Sequence, residues 1–145
     1  MSFAFIFPGQ GSQSLTMLDG LSEYQIVKDT FVEASEIIGV DLLAMLNDET
    51  TERINKTQNT QPLMLTSGVA TYRVWQSLGG KMPEVMAGHS LGEYSALVCS
   101  GSLKFADAVS LVYLRANAMQ NAVAEGVGAM AAGLAAHGQG SPPTP

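Results

Sequence analysis

Residues 85–99 constrain the fold of this chain more than any other segment. Residues 85–87 are a short apolar run, the motif Gly88-His89-Ser90-Leu91-Gly92 interrupts it, and an apolar stretch of helical character continues to residue 99. The order is strand, sharp turn and helix. The turn has the pattern G-x-S-x-G, which raises a serine hydroxyl above the edge of a sheet. The sequence therefore predicts a nucleophile at Ser90.

The two glycines of this motif have a steric task. Without side chains at positions 88 and 92, neighbouring backbone can approach the turn closely. The Leu91 amide then lies at the start of a helix, where N–H groups have no helical partner, and is predicted to be one donor of an oxyanion hole. His89 is predicted to have a local packing or hydrogen-bonding role, because the partners of a nucleophilic serine normally come from distant segments.

Apolar periodicity predicts the other elements. Residues 3–7 are a continuous apolar run closed by Pro8-Gly9, which is typical of a buried strand. A first helix is predicted from Ser22, with Ser22 and Gln25 as a capping box, and it ends near Gly39. Further helices are predicted at residues 42–46, at residues 63–78 with Pro62 in the first turn, and after a cap at Ser102. In the last one the apolar positions recur in steps of four and three: Phe105, Val109, Val112, Ala116, Met119 and Val123.

Strands that alternate with helices predict an α/β fold with a small parallel sheet. About three strands are expected, the third within residues 126–132. From residue 133 the composition shifts to Gly, Ala, Pro, Ser and Thr, so residues 1–132 are predicted as the folded part and 133–145 as a disordered tail.

Composition narrows the classes of function. The net charge of -6 is dispersed along 145 residues, which argues against a nucleic-acid partner. No stretch reaches the about 20 apolar residues of a spanning helix, and the apolar run before Pro8 is too short for a signal peptide, so a soluble protein is expected. One cysteine, Cys99, fits a reducing compartment, and the cytoplasm is predicted.

Two further features have an open interpretation on pattern alone. The loop Phe7-Pro8-Gly9-Gln10-Gly11-Ser12-Gln13 lacks the third glycine of a dinucleotide fingerprint and the Gly-Lys-Ser/Thr of a phosphate loop, so a bare turn is favoured. Arg115 lies about 60° around the helix axis from Val112, at the border of the apolar stripe. It can offer a fork to a carboxylate in an apolar site, or it can be an ordinary arginine at a core boundary, which is commoner.

Taken together, four features resemble the malonyl-CoA:acyl-carrier-protein transacylase family of fatty-acid synthesis: the loop at residues 7–13, Asn59-Thr60-Gln61-Pro62, Gly88-His89-Ser90-Leu91-Gly92-Glu93-Tyr94, and Arg115. The resemblance runs from about Phe3 to Ala132. It implies the first part of a hydrolase-like domain, and a serine that takes a malonyl group from coenzyme A and passes it to the phosphopantetheine arm of acyl carrier protein. Metals and permanently bound cofactors are not expected.

The resemblance also implies roles for single residues. Ser90 matches the nucleophile, and the backbone amides of Gln10 and Leu91 match the oxyanion hole. Arg115 matches the residue that pairs with the malonyl carboxylate, and Gln61 matches a polar residue near the substrate.

The sequence departs from the family in its second half. Family members continue with the rest of the hydrolase-like domain, a small ferredoxin-like domain and the catalytic histidine, none of which is expected in this chain. His137 lies in the predicted tail, outside any family histidine motif. The chain is therefore expected to be a truncated or partial transacylase with little activity by itself, because a serine without a base is a weak nucleophile.

Three alternatives stay open at this point. A serine hydrolase or thioesterase would share the turn but release an acid to water. An acyltransferase of polyketide synthesis would share the other features as well. The third alternative is a fragment without catalytic activity, which would bind the carrier protein or be inert.

Overall fold

Helices pack around a two-stranded parallel sheet in the computed structural model of the protein, which describes residues 2–122. The strands are β1 (Ala4–Phe7) and β2 (Val85–Gly88), and the helices are α1 (Gln25–Ile38), α2 (Glu52–Asn55), α3 (Thr57–Ser77), α4 (Leu91–Cys99) and α5 (Phe105–Asn121). A 3₁₀ turn at Ala44–Asn47 lies between α1 and α2. The predicted α/β class with a parallel sheet is confirmed.

The register of the sheet brings two loops together. β1 and β2 run parallel, with Ala4 opposite Val85 and Phe7 opposite Gly88. Because both strands end at the same edge, the loop after Phe7 and the turn after Gly88 leave the sheet side by side, where open α/β sheets usually carry their sites.

The core is built around α3. Nearly every position from Thr60 to Ala70 is buried, so this stretch of the helix is covered on all sides. It packs against α1, α4 and α5, whose almost completely buried side chains include Phe31, Leu91 and Val112. None of the described helices is long and apolar enough to cross a membrane.

The prediction of a buried first strand is wrong for one face of the sheet. Phe7 is 5% exposed, whereas Ile6 is 75% and Val85 59% exposed. Along each strand exposed positions alternate with half-buried or buried ones, because α4 packs against the sheet and no described element covers the opposite face.

Both predicted helix caps are wrong. The first helix begins at Gln25 without a side-chain cap, because residues 14–24 form successive turns in which the Ser22 amide bonds to the Leu18 carbonyl. The last helix begins at Phe105, and the Ser102 hydroxyl pairs with Ser100 Oγ at 3.0 Å instead.

The middle of the chain also differs from the predicted helix bounds. α3 begins at Thr57, so Pro62 lies inside it and not in its first turn. Two side chains of the first turn of α3 stabilise this start by bonding to α2. Asn59 Nδ2 donates to the Arg53 carbonyl, and Thr60 Oγ1 donates to the Ile54 carbonyl. The predicted helix at 42–46 is the 3₁₀ turn, and α2 was not predicted. The predicted third strand at 126–132 and the tail at 133–145 lie outside the described residues.

Burial gives the single cysteine a pH-dependent effect on stability. Removal from water raises the pKa of the Cys99 thiol to about 12 from the ordinary 9.0, although the Arg73 guanidinium opposes the rise. The folded state therefore favours the neutral thiol. Its contribution to stability is complete below pH 9 and decreases as the pH rises towards the folded-state pKa, because the unfolded thiol ionises first.

We expect the free energy of unfolding to fall by about 1 kcal/mol more in the wild type than in Cys99→Ala between pH 8 and pH 10. Urea unfolding of both proteins at the two pH values measures the difference. Tyr72, whose pKa is also raised by burial, is present in both proteins, so most of its contribution cancels. Identical pH dependence in the two proteins would contradict the assignment.

Candidate active site

Ser90 stands at the apex of the turn between β2 and α4 in a strained backbone conformation. Its φ of 52° and ψ of -106° make it the one non-glycine residue with positive φ among residues 2–122. Such strain persists only where the surroundings enforce it, and it concentrates at functional positions. The hydroxyl makes no helix-capping bond and the residue is exposed, so Oγ is accessible.

The turn requires glycine at both of its flanks. A Cβ on Gly88 would lie 1.9 Å from the Gly92 carbonyl carbon, and one on Gly92 would lie 2.2 Å from the Phe7 carbonyl oxygen. Both obstacles are backbone atoms, which cannot rotate away. The close approach expected from the sequence motif is therefore present, and it joins the turn to the end of β1.

The first loop packs directly on this turn. A Cβ on Gly9 would meet the His89 carbonyl oxygen at 2.7 Å and His89 Nδ1 at 2.9 Å, and the His89 amide donates to the Phe7 carbonyl at 3.2 Å. The His89 imidazole thus packs against the loop, in agreement with a local packing role. Gln10, the next residue along the loop, is brought beside the turn.

Two side chains tie the first loop to the end of α2 and the start of α3. Gln10 Nε2 donates to Thr57 Oγ1 at 3.1 Å, and Gln13 Nε2 donates to Asn55 Oδ1 at 2.9 Å. Gln13 Oε1 in turn accepts the Gly11 amide at 2.8 Å. The backbone around Gln10 is therefore held from both sides. The use of the Gln10 and Leu91 amides as an oxyanion hole stays a prediction.

Arg115 reaches from α5 to the serine. Its Nη2 donates to Ser90 Oγ at 3.1 Å, and its Nη1 donates to Gln61 Oε1. The guanidinium carbon also lies 5.9 Å from the centre of the Tyr94 ring, at the outer limit of a cation–π contact. The sequence left open whether Arg115 points into the site or lies at the boundary of the core. In the structure it points towards the site.

Gln61 lies behind the arginine. It is completely buried on α3, and while its Oε1 accepts from Arg115, its Nε2 donates to Met119 Sδ at 3.3 Å. The resemblance implies a position near the substrate for Gln61, but the sequence carried no signal for this contact, since Met119 was assigned only to the apolar stripe of the last helix. Tyr94 was likewise missed as a neighbour of the arginine.

The arrangement combines an exposed hydroxyl with a fixed cation that bears no ion pair among residues 2–122. It can present a nucleophilic oxygen next to a group that recognises a carboxylate. No histidine bonds to Ser90 Oγ within the described residues, and His137 lies outside them. The same part of the chain holds no cluster of side chains suited to a metal ion.

The family model described as "acyl transferase domain" matches residues 4–139. The chain belongs to this acyl transferase domain family. The curated malonyl CoA-acyl carrier protein transacylase of Escherichia coli K12 is 60% identical over 131 residues, which make up 90% of this chain and 42% of that protein. The chain thus spans about two fifths of the length of these curated relatives.

Solved structures agree with this assignment. The acyl carrier protein S-malonyltransferase of Vibrio cholerae superposes with a TM-score of 0.80 at 52% identity, covering 87% of this chain and 42% of that one. A malonyl-transacylase in complex with its type II PKS acyl-carrier protein gives a TM-score of 0.82 at 54% identity, over 87% of this chain and 41% of that one. The comparisons do not favour a serine hydrolase as the alternative for this acyl transferase domain.

Proposed function

We propose that this chain carries the nucleophile and the carboxylate-binding residue of a malonyl-CoA:acyl-carrier-protein transacylase. The observation that carries the proposal is the 3.1 Å contact between Arg115 Nη2 and Ser90 Oγ. In a malonyl-serine ester, the free carboxylate stands one methylene away from the carbonyl bonded to that oxygen. A guanidinium that touches the hydroxyl is therefore within reach of the carboxylate.

The reaction proceeds by two acyl transfers. Ser90 Oγ attacks the thioester carbonyl of malonyl-CoA and loses its proton to a base, and coenzyme A leaves as its thiol after taking up a proton. The phosphopantetheine thiol of the carrier protein then attacks the malonyl-serine ester and restores the hydroxyl. In both steps negative charge develops on the carbonyl oxygen, for which the Gln10 and Leu91 amides are the proposed donors.

The arginine selects the substrate. An acetyl group on Ser90 would leave the guanidinium without a counter-charge, whereas malonyl supplies one in a geometry suited to a fork of two N–H groups. Gln61 supports this role because its amide oxygen holds one arm of Arg115 and adds no negative charge that would compete with the substrate.

The proposal also covers the catalytic base, the second substrate and the cellular location. We assign the base that accepts the Ser90 proton to neither His89 nor His137. The carrier protein is the proposed second substrate, whether it serves fatty-acid or polyketide synthesis. A reducing, cytoplasmic location belongs to the proposal because Cys99 is the single cysteine.

The test is the intact mass of the protein after brief exposure to malonyl-CoA. It is made on the 145-residue chain and on a fused chain, in which residues 1–122 are followed by the remainder of the E. coli relative. We expect the fused chain to gain one malonyl group that a pantetheine thiol removes, and Ser90→Ala to gain none. The 145-residue chain is expected to gain much less, because the relatives extend well beyond its match.

Other outcomes point to the alternatives. Steady release of free malonate without a thiol acceptor would indicate a thioesterase. Binding of the carrier protein without any adduct on the fused chain would indicate a non-catalytic role. An adduct that persists in Ser90→Ala would remove Ser90 from the mechanism.

A further inference from the structure

One buried amide connects two residues of α5. Arg115 and Met119 are four positions apart, so they lie on the same face of the helix one turn from each other. Between them lies Gln61 of α3, which accepts from Arg115 Nη1 through Oε1 and donates to Met119 Sδ through Nε2 at 3.3 Å. The amide oxygen therefore faces a hydrogen-bond donor, and the amide NH₂ faces an acceptor.

We propose that Met119 is a positioning residue for Arg115, acting through the Gln61 amide. The inference rests on the proposed function, because the task of Arg115 in it is to bind a carboxylate. Met119 need not touch the substrate in this role. Its sulfur sets which end of the amide faces the arginine.

The orientation follows from what each group can accept or donate. A thioether sulfur has no hydrogen to donate, and a guanidinium has no acceptor. Turning the amide by 180° would place its NH₂ against the guanidinium and its oxygen against the sulfur, so both contacts would be lost. Because Gln61 is completely buried, water cannot replace either partner.

A neutral amide also suits the task better than a carboxylate would. A glutamate at position 61 would pair with Arg115 and cancel the charge that the substrate carboxylate needs. The amide oxygen holds the guanidinium and leaves its full charge available. The amide oxygen stays oriented towards Arg115 only while the NH₂ group of Gln61 has an acceptor of its own. Met119 Sδ is that acceptor.

Two substitutions of Met119 separate its hydrogen-bonding role from its volume. Met119→Leu keeps an apolar side chain of similar size without an acceptor, whereas Met119→Gln restores an acceptor at a similar reach. Met64→Leu is the matched control, since Met64 is a buried methionine on α3, one turn after Gln61, and makes no hydrogen bond to it. All are made in the 145-residue chain, with a thermal transition to establish folding.

The first readout is the nuclear magnetic resonance spectrum of the Gln61 side-chain amide and the Arg115 guanidinium. We expect slowed guanidinium rotation in the wild type, Met119→Gln and Met64→Leu, and averaged signals in Met119→Leu. The second readout is binding of malonate, with malonamide, which has no carboxylate, as the control. Met119→Leu should bind malonate about threefold to tenfold more weakly, and Met119→Gln within about twofold of the wild type.

The outcomes separate this inference from the proposed function. Unchanged Gln61 and Arg115 signals in Met119→Leu would overturn the positioning role, and so would a Met119→Gln protein that behaves like Met119→Leu. If the signals change as expected but malonate binds to none of the proteins, the positioning role is supported and the proposed carboxylate site is not.

Discussion

Gly88→Ala is expected to remove the cooperative thermal transition of this chain or to lower its midpoint by more than about 10 °C. The added Cβ would lie 1.9 Å from the carbonyl carbon of Gly92, 2.0 Å from its oxygen and 2.2 Å from the Glu93 amide nitrogen. Relief would require α4 to move off the sheet. We expect a cost above about 4 kcal/mol, a large part of the total stability of a domain this size.

A second glycine provides the control for this prediction. Gly39 ends α1 with φ of 68°, and a Cβ there would meet nothing within 4 Å. Gly39→Ala should therefore cost only the backbone strain of a left-handed residue, about 1 kcal/mol or somewhat more. Comparable losses in the two variants, measured by thermal or urea unfolding, would mean that the turn tolerates a side chain and that the steric argument is wrong.

Arg115→Ala is expected to slow malonyl transfer to Ser90 about 100-fold in the fused chain while acetyl transfer stays within about threefold of the wild type. The loss of a charge-assisted fork to the malonyl carboxylate accounts for about 2 to 3 kcal/mol. Acetyl has no carboxylate, so it does not use the fork. Competition between malonyl-CoA and acetyl-CoA, read as the ratio of the two adduct masses, gives the preference directly.

Arg53→Ala is the matched control for the arginine. Arg53 is a partly exposed arginine on α2 that pairs with Asp48, and it makes no contact with Ser90. Its removal should leave the malonyl preference unchanged. If Arg115→Ala lowers acetyl and malonyl transfer by the same factor, the arginine contributes to the reactivity of Ser90 and does not recognise the malonyl carboxylate.

Much of the site could be predicted because its elements are local. The strand, turn and helix around Ser90 follow from a short apolar run, two glycines and a helical stretch within residues 85–99, and backbone sterics act over that short range. The inward direction of Arg115 was one of two open interpretations, since its angle from the apolar stripe places it at a border. The angle alone could not decide between them.

The wrong predictions share a physical cause. Ser22 and Ser102 have the right residue type for a helix cap, but a cap also requires the extended backbone that precedes a helix. Turns occupy residues 14–24 in the first case, and in the second the chain pairs Ser102 with Ser100 before it reaches α5. The sheet face at Ile6 was misjudged because an apolar run reports preference for burial, not which elements are there to cover it.

The sequence by itself determined that Ser90 is raised at a glycine-flanked turn, because bond geometry and steric overlap between near neighbours leave few alternatives. Only the tertiary structure decided what surrounds the hydroxyl. Gln61 and Arg115 are 54 positions apart, and Gln61 and Met119 are 58 apart, yet they meet where α3 packs against α5. Hydrogen bonds of this kind depend on the angle and depth of helix packing, which no local pattern of residues encodes.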